Sequence, residues 1–305
     1  MDELSRIWFR TECRDRLRSA QGTAFQDLFA DLMELAFPGD FQRVRPYGNQ
    51  GDQKCDGYLS SSKTVFQVYA PRTMKQAKLI EKAREDFAGA VVHWQGRMAV
   101  WAFVHNDREG LPPDAFKLIQ DLAAEQLDLS TEVWGPSEIE TTALNLSGDA
   151  LTRVFGPAPT NRSLEELRYD RLRDVLRSIK RQQPPPIVEI RPVSPEKLEA
   201  NAFSEDVLDL LRMGRRKEAL VATLLADWPT PGFAEELAEG YRQRYAELKA
   251  LSGTTADEIF GSLQDHTRGS EPLSDPGHQA AVLAILSYFF ERCDIFEDKP
   301  GGDGP

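Results

Sequence analysis

The chain has 305 residues, 41% hydrophobic and 28% charged, which excludes a mini-protein, a disordered chain and a fibrous one, and gives length for about two domains. Cys13, Cys55 and Cys293 lie far apart with no CxxC pair, so neither a disulfide scaffold nor a zinc ribbon is expected, and a reducing, cytoplasmic setting is. The formal net charge is −12, but residues 1–90 carry 14 Lys and Arg against 13 Asp and Glu, while the remaining 215 carry 23 against 36. The acidity that would repel a polyanion therefore belongs to the second part. The N-terminus is charged from its second residue and lacks the apolar core of a signal peptide. No run approaches the ~18 apolar residues of a membrane span, so no membrane partner is expected.

In chain order, Phe25, Leu28, Phe29, Leu32, Leu35 and Ala36 recur at helical spacing and predict a helix over 21–37, closed by Pro38-Gly39. A Gly-rich stretch follows, then two short strands, 56–59 and 64–69, joined as a hairpin through 60–63. A charged helix over 75–92, a buried strand in MAVWAFVHN, a helix over 114–125 and a strand over 131–134 complete an α-β-β-α-β-α-β order. That order predicts a mixed α/β sheet covered by helices on both faces. Proline-dense zones at 155–163 and 182–195 bracket a charged helix over 164–181. Beyond them the pattern is helical over 204–213, 215–227, 233–251 and 277–293. The expected division is 1–160, a linker over 161–195 and an all-α domain over 196–305.

The stretch GDQKCDGY, residues 51–58, is followed eleven residues after Asp56 by Gln67-Val68-Tyr69. Opposed side chains on one face of a hairpin lie about 5 Å apart, so Asp56 and Gln67 can converge on one hard cation with Asp52 adding an oxygen. Magnesium or manganese held there would activate water against a phosphate, and the glycines would let a nucleic-acid backbone approach. The same residues also make an ordinary solvated turn.

This arrangement of helix, GDQKCDGYL and VFQVYAP resembles the PD-(D/E)XK nuclease superfamily, in particular the Mrr-type restriction-endonuclease-like enzymes, over residues 20 to about 135. The resemblance implies a restriction-endonuclease-like mixed sheet and metal-dependent hydrolysis of DNA. It matches Asp56 to the metal-binding aspartate, Gln67 to the acid-or-amide position and Asp52 to the loop aspartate. Two positions depart from the pattern. Tyr69 stands where the family places a lysine, and Gln26 where many members have a helix glutamate, with Asp27 its neighbour as a candidate metal ligand and Asp31 and Glu34 one and two turns further on. Lys54, Arg72 or Lys75 could bring a cation into the site from another direction. The departures keep a second function open, a non-cleaving fold that binds nucleic acid or protein.

The C-terminal stretches ADEIFGSLQD and AVLAILSYFFERCDIFE resemble the helical C-terminal domain of effectors in bacterial ABC-three-component conflict systems. That resemblance implies a role in defence against phage or plasmids, with two partners: an SMC/Rad50-like ABC ATPase and a small middle component. The apolar residues of 281–296 encircle the helix and predict burial. His93 and His105, at the ends of the MAVWAFVHN strand, read as structural histidines, and His266 and His278 as solvated ones. Trp94, Trp101, Phe103 and Trp134 read as core aromatics. Arg14, Arg16, Arg18, Arg43, Arg45, Arg72, Lys75, Lys78 and Lys82 form either a positive rim for phosphate or a normal solvated surface.

Overall fold

Thr64–Tyr69 is β-branched and aromatic along nearly its whole length, the composition of a strand covered on both faces, and it lies at the centre of a five-stranded sheet. The computed structural model describes residues 1–45, 53–124, 126, 128–180, 203–251, 253–269 and 275–292. The strands are β1 (Phe41–Arg43), β2 (Gly57–Leu59), β3 (Thr64–Tyr69), β4 (Val100–His105) and β5 (Ser130–Trp134), in that spatial order. β1, β2 and β3 form an antiparallel meander with Gly57 opposite Phe66, whereas β3, β4 and β5 run parallel. The sheet is mixed, as the element order implied, and its three parallel strands end along one edge.

The chain packs as two units, Cys13–Val154 and Met1–Glu12 with Phe155–Pro305. Helix α1 (Glu3–Ser19) therefore begins in the second unit and finishes in the first. Within the first unit, α2 (Thr23–Ala36) turns Phe29 onto Phe41, Phe66 and Trp134. The other face of the sheet carries α3 (Gln76–His93) and α4 (Pro113–Leu122), whose Leu79, Ala83, Phe87 and Ile119 share a buried cluster with Val65, Trp101 and Phe103. Each such large apolar side chain contributes about 1.5–3 kcal/mol on burial. After β5 come α5 (Pro136–Leu144), which packs beside α2, and α6 (Gly148–Phe155).

The second unit is helical in its described part: α7 (Asn161–Glu165), α8 (Tyr169–Lys180), α9 (Glu205–Arg215), α10 (Glu218–Ala226), α11 (Phe233–Lys249), α12 (Ala256–Arg268) and α13 (Pro276–Arg292). Every residue from Ala280 to Phe290 is buried, so α13 is the axis of this core, as its all-round apolar pattern predicted. α9 crosses α13 at Gly214, where a Cβ would collide with Ser287 Oγ and come within 2.8 Å of the Leu283 carbonyl oxygen. Gly214→Ala is therefore expected to cost about 1–3 kcal/mol by overpacking. Denaturant titration checks this, with Ser287→Ala in the same chain expected to restore only part because the backbone contact stays.

Some elements differ from the sequence reading. The helix expected over 164–181 is broken into α7 and α8. His266 and His278, expected to be solvated, lie in helices α12 and α13, with His278 buried. Trp101 and Phe103 are buried, and Trp94 stacks on Tyr58 with ring centroids 5.0 Å apart, in keeping with core roles.

Candidate functional site

The register that sets Gly57 opposite Phe66 brings Asp56 opposite Gln67, and Asp56 N–H donates to the Phe66 carbonyl oxygen at 2.8 Å. Opposed residues of an antiparallel pair share a face. Gln67 Nε2 donates to Asp56 Oδ2 at 3.0 Å, and Val68 N–H donates to the same oxygen at 2.7 Å. From α2, Gln26 Nε2 donates to Asp56 Oδ1 at 3.1 Å. The carboxylate thus receives amide N–H groups from three places. Gln67 is only 4% exposed, and its Oε1 has no hydrogen-bond partner among the described residues. A buried amide oxygen left without a donor costs about 1–3 kcal/mol, which marks this side chain as one shaped by something other than packing.

The structure brings Asp56 and Gln67 together and does not bring Asp27 to them. Asp27 faces out from α2 and is held by Arg43, at 3.1 Å, in a clamp that also takes Asp31 and Glu34. Burial lowers the Arg43 pKa, but the hydrogen bond to Asp31 and the charge of Glu34 outweigh it, and the net effect is upward. Asp52 lies outside the described residues. Tyr69 is half-buried with its ring 6.1 Å from that of Phe103, and Arg72 and Lys75 are exposed.

Lys54 is engaged elsewhere. Its Nζ meets Glu85 at 2.5 Å and Asp86 at 3.1 Å on α3, and Lys82 joins the fully buried Asp86 at 2.8 Å. The hydrogen bond to Glu85 is the main cause that pushes the Lys54 pKa up to about 12. The stem of Lys54 lies over Gly89, where a Cβ would come within 2.6 Å of Lys54 Cγ. Gly57, expected to clear a path for a ligand, instead makes room for the Phe41 ring. Among the described residues no group of three or more His, Cys, Asp or Glu is placed to hold a metal, so the candidate set is one carboxylate flanked by two amides.

His105 ends β4 and is buried, with its Nδ1 accepting the Asp107 N–H at 3.2 Å, the structural part expected of it. Burial lowers its pKa, against the opposing charges of Asp107 and Glu138. A histidine with its folded pKa below the unfolded value of about 6.5 gives stability that is intact above that value and declines as pH falls through the folded one. Denaturant midpoints taken between about pH 7.5 and 5 are expected to fall, and His105→Gln to flatten part of that slope.

No helix among the described residues is long and apolar enough to cross a membrane. No curated protein and no solved structure matches the chain. Residues 170–297 match the family described as C-terminal domain 10 of the ABC-three component (ABC-3C) systems, and this match supports membership of the chain in such a system.

Proposed function

We propose that the N-terminal unit is a restriction-endonuclease-like effector that hydrolyses DNA phosphodiesters with a divalent ion, magnesium or manganese. In this reading the C-terminal unit docks it to the ABC ATPase and the middle component of a defence system. The observation that carries the proposal is the convergence of Asp56, Gln67 and Gln26, with Gln67 Oε1 buried and without a described partner. Rotating either amide by half a turn exchanges its donor for its oxygen, an arrangement that two oxygens facing a carboxylate tolerate only with a cation between them. Asp56 and Gln67 would then hold the ion, with Gln26 as the third oxygen and Asp52 as a further candidate. A hard divalent ion, when bound, supplies Lewis-acid polarisation of a phosphoryl oxygen and a more acidic water. The chain's own residues fix the carboxylate, and Tyr69 would take the place of the absent lysine as a neutral hydrogen-bonding group.

A second reading, a nuclease-like fold that binds without cutting, is favoured by a different observation. The donors from Gln26, Gln67 and Val68 are all uncharged, and the Lys54 ammonium is engaged by Glu85 and Asp86. Incubation of the protein, alone and assembled with its ABC ATPase and middle component, with supercoiled, linear and single-stranded DNA plus magnesium or manganese separates the two. Cleavage that disappears in Asp56→Asn supports the hydrolase. Retained, salt-dependent binding without cutting by the full assembly supports the binding module, and equal cutting by both proteins removes Asp56 from the chemistry.

A further inference from the structure

Apart from the Asp56 cluster, the same edge of the sheet gathers positive charge around a small cavity. It has a volume of about 160 Å³, and its lining includes Arg14 and Arg18 of α1, Arg108 from the segment after β4, and Ser137 and Glu140 of α5. These positions are far apart in sequence. Gly22 N–H donates to the Ala70 carbonyl oxygen at 2.6 Å, which fastens the start of α2 just past the end of β3. Asn106 Nδ2 donates to the Ala20 carbonyl oxygen at 3.4 Å, which fastens the end of α1 just past β4. α5 begins immediately after β5. The cavity therefore sits where the three parallel strands deliver their carboxyl ends, the region of open α/β sheets in which ligands bind.

Its charge points to one class of ligand. The lining holds three arginines and one carboxylate, Glu140, which Arg14 grips through Nε at 3.0 Å and Nη2 at 2.9 Å. Arg18 is also paired with Asp15. Guanidinium forks match the oxygens of phosphate. The volume falls below the ~300 Å³ at which pockets begin to enclose drug-sized ligands, so it suits a single tetrahedral oxyanion and not a whole nucleotide. We infer that this cavity binds one phosphate group, presented by a nucleic-acid backbone lying along the edge that also carries Asp56. Only the identity of the phosphate's bearer rests on the nuclease-like reading.

The test is duplex binding by the full-length protein in EDTA, followed by fluorescence anisotropy across a salt series, for wild type, Arg108→Gln, Arg18→Gln and Arg108→Lys. Arg108 is exposed, so its removal leaves the core intact, and melting temperatures verify this. Each Gln variant is expected to bind about tenfold more weakly and to lower the salt slope by about one, with Arg108→Lys intermediate. A second arm adds inorganic phosphate alone. If phosphate raises the melting temperature of wild type and not of Arg108→Gln while duplex affinity is unchanged, the site stands and its bearer is a small phosphate-containing molecule. Equal duplex affinity and slope in all variants, with no phosphate shift, overturns the site. Asp56→Asn in the same metal-free assay keeps the two questions apart, since loss of cleavage with intact, Arg108-dependent binding defeats the hydrolase alone.

Discussion

Asparagine in place of Asp56 is expected to abolish cleavage by the assembled system while leaving the N-terminal unit folded. The carboxylate accepts from Gln67 and Val68 at one oxygen and from Gln26 at the other. Asparagine keeps the first acceptor and presents an NH₂ at the second, which Gln26 accommodates by turning its own oxygen inward. Stability should therefore change by no more than about 1 kcal/mol. The negative charge, however, is gone, and with it the attraction for a divalent ion. Turnover is expected to fall at least about a hundredfold, on the scale of the several kcal/mol that a Lewis-acid metal contributes. Asp56→Ala is the informative contrast, because it strands the buried Gln67 Nε2 and should cost about 1–3 kcal/mol in addition. Paired measurement of cleavage and denaturant midpoint distinguishes a lost ligand from a damaged fold. A variant that cuts at the wild-type rate sinks the assignment.

Glu12→Ala is expected to be the most damaging substitution for stability. Glu12 Oε1 accepts from Arg268 Nη2 at 2.5 Å and from Gln264 Nε2 at 2.6 Å, and all three residues are buried. Arg268 also lies 5.9 Å from the centroid of the buried Trp8 ring. Removing Glu12 strips Arg268 Nη2 and Gln264 Nε2 of their buried acceptor and leaves Arg268 to the exposed Asp265, a cost approaching the ~3–5 kcal/mol of a broken buried pair. For a unit of this size that corresponds to a drop on the order of 10 °C in melting temperature. Glu12→Gln should be milder, since it preserves an acceptor and Arg268 still holds Asp265 at 2.7 Å. Calorimetry should show the loss in the transition of the C-terminal unit, and an unchanged transition would mean the pair is not formed.

The strands β2 and β3 were legible because a short hairpin states its register in sequence, and that register delivered the meeting of Asp56 and Gln67. α13 was legible because an all-round apolar helix has only one place to go. What escaped was coded by partners distant in the chain. α1 buries an apolar stripe, Leu4, Ile7, Trp8, Cys13 and Leu17, that its many charges obscure, and its buried Glu12 finds its partner Arg268 some 256 residues later. α12 buries Ile259, Phe260 and Leu263 but then Gln264, Thr267 and Arg268, so its apolar stripe gives way to polar residues in the second half of the helix. β1 has three residues, too few for any alternation, yet its Arg43 is the partner that gathers Asp27, Asp31 and Glu34 on the outer face of α2. Of the cavity's arginines, Arg14 and Arg18 were candidates in the sequence, whereas Arg108 joins them only once β4 and β5 lie side by side.

The division of α1 between the two units bears on how such a protein can be recombined. Because Met1–Glu12 pack with the helical unit, a chimera that exchanges everything before residue 160 for a foreign effector removes Trp8 and Glu12 from beneath Arg268. A graft would keep the recipient's own opening helix and enter only after Glu12. The N-terminal unit is in effect an insertion between two pieces of its neighbour.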